Sequence, residues 1–192
     1  MTIQTQERLP PIPREQMDDA QRAAADASVA GPRKGIKGPF IPLLRSPELM
    51  QRLQKVGEYV RFDSVLPRRL SEFATLIVAR AWTQQFEWHM HVPLALAAGT
   101  SQATVDALRE GTRPGDMSSE EDGVYDFASE LLADCGVGDI TYRRCVECLG
   151  ERGVIDLTAL VGYFALVSMV LNVARTPPEV ASGVAALPPI SR

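Results

Sequence analysis

Both histidines of the chain, His89 and His91, and both tryptophans, Trp82 and Trp88, fall within residues 67–99, PRRLSEFATLIVARAWTQQFEWHMHVPLALAAG. Glu72 and Glu87 lie in the same stretch, among residues that otherwise read as buried helix. Imidazole and carboxylate groups are costly to bury without partners. Their concentration here marks either an acid–base site or a set of groups that satisfy one another inside a helical core. On a helix beginning near Thr83, with Thr83 as its N-cap, Gln84, Glu87 and His91 follow at steps of three and four and share one face. Glu87 and His91 are then within hydrogen-bonding reach, and the helix dipole favours the charge of Glu87 in the first turn. His89 points about 200° away around that helix. Glu72 can join the pair only if its own helix packs antiparallel to this one.

The elements that must position these groups are helices. Ser46 starts one in the expected way, with Pro47 at its first position, and Leu49, Leu53, Val56 and Val60 recur at the spacing of a buried face. Pro67 opens the next, carrying Leu70, Phe73, Ala74, Ile77 and Val78. Pro93 falls inside the histidine helix and removes the hydrogen bond to the carbonyl of His89; Gly99 terminates it. Thr100 or Ser101 caps a short helix through Leu108. Ser118 with Glu121 starts one that ends near Cys135. Asp139 or Thr141 starts another that ends at Gly150 or Gly153, and the apolar run from Val154 to Ala174 follows. This last run is about long enough to cross a bilayer, but it holds Asp156, Gly162, Ser168 and Asn172, and it reads as the central buried helix of a bundle, packed also on another subunit. No strand-like alternation occurs, so the fold class is all-α.

The 192 residues suit one domain with an appended arm. Residues 1–37 read as a tail and N-terminal helical arm, 38–176 as the helical domain and 177–192 as an irregular C-terminal tail. Residues 1–13 form a loose tail, 14–30 a mostly polar helix that must dock on something, and 31–44 a Gly- and Pro-rich loop that runs from the arm into the domain. A net charge of -4 without a basic stripe speaks against nucleic acid as a partner. The first 30 residues lack a basic start followed by an apolar run, and the three cysteines are an odd number, which fits a reducing cytoplasm. No membrane partner is expected. The apolar helix and the thin arm ask for more burial than one small domain supplies, so a homo-oligomer is expected: dimer, trimer or hexamer.

The spacing Glu72, Gln84, Glu87, His91, then Ala95 and Gly99, resembles the carboxymuconolactone decarboxylase and alkylhydroperoxidase D superfamily. The peroxidase branch of that family has Glu, eleven residues, Cys, two residues, Cys, three residues, His. Glu72 and His91 match in register, while Gln84 and Glu87 occupy the two cysteine positions. The wording FEWHMHVPLALAAG resembles a cysteine-free branch, and GPFIPLLRSPEL and GYFALVSMVLNV extend the likeness over most of residues 38–175. The resemblance implies an alkylhydroperoxidase D-like (AhpD-like) helical bundle. It also implies a small-molecule substrate and, for the decarboxylase, chemistry with no cofactor and no metal. A thiol peroxidase needs a thiolate and a resolving thiol, and neither glutamine nor glutamate supplies one. Cys145-Val-Glu-Cys148 is an unsuitable substitute, lying beyond the first turn of its helix with Glu147 and Glu151 beside it.

A decarboxylation of this kind requires a group that holds the carboxylate and an acid that delivers a proton to carbon. His91 is expected to be that acid, oriented by Glu87 or Glu72. Arg80 is the expected carboxylate clamp, with Gln84 and Trp88 as further substrate-binding residues. The rival readings are a hydroperoxide reductase and a non-catalytic helical oligomer that binds a small apolar acid.

Overall fold

The computed structural model describes residues 6–31 and 34–189. Parts of the expected N-terminal tail (1–5), the Gly- and Pro-rich loop (32–33) and the C-terminal tail (190–192) lie outside the described residues. The elements run as a single 3-10 turn at Arg14–Gln16, then α1 (Asp19–Ala30), α2 (Phe40–Leu43), α3 (Pro47–Glu58), a π turn at Tyr59–Asp63, α4 (Arg68–Ala81), α5 (Gln85–Ala97), α6 (Gln102–Glu110), α7 (Ser119–Asp134) and α8 (Asp139–Ala174). No strand occurs among the described residues, and the fold is all-α.

The centre of the bundle is α4. Every residue from Leu70 to Ala79 is buried, so this helix is covered on all sides, and α5, α6, α7 and α8 each pack on it. That position was expected of the apolar run 154–174 instead. In the structure the run is the second half of α8, and it buries only one side: Leu157, Leu160, Phe164 and Val167 face inward while Ile155, Met169 and Val173 are exposed. The helix is long and apolar enough to cross a membrane by length and composition, and most of its apolar window is buried against the rest of the chain. The expected boundary at Gly150 is a break inside α8, where φ of 70° and ψ of 168° are open to glycine but strained for other residues.

The antiparallel hairpin of α4 and α5 brings the sequence-predicted groups together. Its turn is tight, with the Gln84 amide bonded to the carbonyl of Ala79 at 2.8 Å. The N-cap is Gln84 rather than Thr83. Thr83 takes up the reversal in a left-handed conformation (φ 47°), and the Gln84 side chain accepts the Phe86 amide at 2.7 Å.

Three further expectations are revised. The buried face of α3 is Met50, Gln54 and Gly57, continued by Val60, whereas Leu49 and Val56 are exposed. The face is rotated because α1 docks on α3 through Ala24 and Ala25, making a second small core with Phe40, Leu43, Leu44 and Met50. Residues 6–13 are tied down: the Arg8 amide donates to the Ala174 carbonyl at 2.8 Å, and Arg45 Nη2 donates to the Pro10 carbonyl at 2.7 Å. The C-terminal segment is irregular but packed back as a strap. Gln85 donates to the Leu187 carbonyl and accepts from its amide, Trp88 Nε1 donates to Ala185, and Arg109 Nε donates to Ala186.

Candidate functional site

Glu72 and His91 meet across the α4–α5 hairpin, with Glu72 Oε2 2.7 Å from His91 Nδ1. Nδ1–H donates to the carboxylate, which fixes the ring's orientation and turns Nε2 toward Glu87, whose Oε2 is 3.5 Å away. All three residues are buried, at 7%, 4% and 4% exposure for Glu72, Glu87 and His91. Phe164 of α8 meets the imidazole edge to face at 4.9 Å. Arg68 reaches Glu72 Oε1 from the surface at 4.0 Å. Burial is the largest single influence on His91 and opposes protonation. The bonds to Glu72 and Glu87, together with their charge, outweigh it and hold the imidazole above its ordinary pKa.

Glu87 and His91, but not Glu72, line a cavity of about 240 Å3. Phe164 and Tyr163 give it an apolar wall, and two cations, Lys37 and Arg61, complete it. Neither cation was expected at the site. Lys37 arrives on the loop before α2, where Ser28 of α1 donates to the Gly35 carbonyl at 3.0 Å and so ties that loop to the arm. Gly38 lets the loop close over α5. A Cβ at Gly38 would stand 2.3 Å from the Phe86 ring, and its φ is 52°. Arg61 sits in the π turn, an element that inserts an extra residue into a helical turn and recurs at functional sites. Asp156 of α8 braces both sides of this turn, accepting from the Tyr59 hydroxyl at 3.1 Å and the Val65 amide at 3.0 Å.

The three expected substrate-binding residues lie outside this cavity. Gln84 is a cap, and its Nε2 donates to Asn172 Oδ1 at 2.8 Å, linking the hairpin turn to α8. Trp88 is fully buried in the core, with Nε1 held by the strap. Arg80 donates to the Pro188 carbonyl at 2.9 Å and lines a different cavity. His89 is buried with Nδ1 unpartnered among the described residues, and burial holds its pKa below the ordinary value. No cysteine lines the His91 cavity. Cys145 is buried between α7 and α8 with its thiol pushed up to about 11, chiefly by burial, while Cys135 and Cys148 are exposed.

The arrangement can hold a proton on His91 Nε2 to higher pH than an ordinary imidazole would, back it with two carboxylates and place it against a bound anion. Residues 47–123 match the carboxymuconolactone decarboxylase family. The alkylhydroperoxidase AhpD core of an uncharacterized peroxidase-related protein from Ralstonia eutropha JMP134 shares the fold, with a TM-score of 0.73 at 15% identity over 90% of this chain and 92% of that one. A protein of unknown function from Agrobacterium tumefaciens shares it with a TM-score of 0.60 at 17% identity, over 72% of this chain and 95% of that one. No curated protein matches. The family match is thus confined to residues 47–123, and the two solved structures share this chain's helical fold. The match spans α3 to the start of α7 and so includes Glu72, Glu87 and His91.

Proposed function

We propose that the chain is an acid–base lyase that decarboxylates a small carboxylated lactone or related unsaturated acid without a cofactor. The observation that carries this reading is the Glu72–His91–Glu87 array opening onto a cavity whose cations are Lys37 and Arg61. The substrate's carboxylate side binds toward the two cations. The bond between the carboxylate and its carbon breaks, carbon dioxide leaves, and the electron pair passes into the substrate's conjugated carbonyl as an enolate. His91 Nε2 gives its proton to carbon and is reprotonated from solvent, while Glu72 holds Nδ1–H and stabilises the cationic ring. Positioned general acids of this kind contribute about 10²–10⁴-fold in rate.

The test is carbon dioxide release from carboxymuconolactone, set beside an analogue whose ring double bond is reduced. Release from the unsaturated acid alone supports the reading, because the reduced analogue lacks the electron sink. Hydroperoxide turnover with a dithiol, in the absence of carbon dioxide release, overturns it. The same reading includes self-assembly. Leu49, Val56, Phe62 and Val65 leave an exposed apolar face along α3 and the π turn, and light scattering showing a monomer at micromolar concentration contradicts it.

A further inference from the structure

A second cavity, of about 290 Å3, opens between the end of α4, the end of α6 and α7, and shares no lining residue with the His91 cavity. Its walls are mostly apolar, with Ile77, Leu108 and Leu132 among them, and Arg80 is its cation. Among the described residues, the Arg80 side chain has one hydrogen bond, from Nη1 to the Pro188 carbonyl at 2.9 Å, and no carboxylate partner. The Nε–Nη2 edge passes Gly111, where a Cβ would lie 3.4 Å from both nitrogens. Gly111 closes α6 in the left-handed conformation, and any side chain there would crowd that edge. Two parallel N–H donors along one edge of a guanidinium match the two oxygens of a carboxylate.

We propose that this cavity binds a small amphipathic monocarboxylate, a short alkyl or aryl acid. Its carboxylate rests on Nε and Nη2 of Arg80, and its apolar body lies among Ile77, Leu108 and Leu132. Arg80 is the one cation in this lining, beside the hydroxyl-bearing Thr112, Tyr125 and Ser129, and it suits a single negative charge. A phosphate, with up to two charges, would meet only one cation here. The site is separate from the His91 cavity and does not depend on the reaction assigned there.

The experiment titrates hexanoate, with hexan-1-ol as the uncharged control, into the isotope-labelled full chain and follows amide shifts. Hexanoate is expected to perturb residues near 77–81, 108–112 and 129–133, and to bind about tenfold or more tighter than hexan-1-ol. Arg80→Met, which keeps length but removes charge, is expected to weaken hexanoate about tenfold and leave hexan-1-ol unchanged. Ala133→Phe adds bulk to the cavity wall from α7 while keeping Arg80, and is expected to weaken both. Equal affinity for acid and alcohol overturns the inference. So do hexanoate binding unaffected by Ala133→Phe and shifts confined to the surroundings of Lys37, Arg61 and His91.

Discussion

Glu72 Oε2 lies 2.7 Å from Nδ1 of His91, so the ring has one nitrogen committed to a carboxylate on α4 and presents the other toward Glu87 and the cavity. Glu72 itself does not line that cavity. It orients the ring and raises its proton affinity, whereas Glu87 and His91 face the cavity.

The first prediction follows from that division. Glu72→Gln keeps a hydrogen-bond acceptor for Nδ1–H but removes the charge that favours imidazolium, so the His91 pKa falls. If protonated His91 is the acid, the rate declines as pH rises through that pKa. The alkaline limb of kcat/KM is then expected to move to lower pH by about one unit or more. Glu87→Gln moves it the same way. A pH–rate profile that keeps its alkaline limb in place in both variants contradicts the assignment.

Stability should carry the same signature. The folded-state pKa of His91 is raised above its ordinary value of 6.5. The stabilisation from its bonds to Glu72 and Glu87 is therefore fully present below about 6.5 and is lost as pH rises through the folded-state pKa. Urea midpoints measured upward from pH 6 are expected to fall more for the wild type than for His91→Gln. Parallel curves would show that the array does not titrate as described.

Arg61→Ala is expected to raise KM for a carboxylated substrate about tenfold, by removing one charge-assisted contact, with a smaller effect on kcat. Asp156→Asn weakens the clamp on the π turn that aims Arg61. It should raise KM in the same direction and add little on top of Arg61→Ala, since the two act through one contact. Additive effects in the double variant would show that Asp156 acts elsewhere.

Replacing Cys135, Cys145 and Cys148 together by alanine should leave decarboxylation within a few-fold, with a stability loss confined to buried Cys145. A thiol held near 11 is a poor nucleophile at neutral pH. Loss of activity on replacing Cys145 or Cys148 alone would favour redox chemistry.

What the sequence made legible was the part of the site held by local rules. Glu87 and His91 are four residues apart on one helix, and a short turn at 82–84 folds Glu72 back onto them. The α3 face was misread because its cover, α1, is distant in sequence and packs through small alanines that leave little periodic signal. The cations were missed for related reasons. Arg61 is aimed by a π turn that helical spacing does not describe, and Lys37 by a loop whose seat is the Phe86 ring under Gly38. Arg80, Gln84 and Trp88 have the right chemistry for binding. Strap carbonyls at Pro188 and Ala185, and Asn172 of α8, hold them elsewhere, and these are contacts with residues more than 80 positions away.

The central claim is that His91 delivers the proton. The most direct measurement is steady-state carbon dioxide release by His91→Ala beside the wild type, on the unsaturated lactone acid that the wild type turns over, with folding checked by circular dichroism. A loss of about 10²-fold or more in kcat is expected, with His89→Ala close to wild type in rate. Full activity in a folded His91→Ala protein would contradict it.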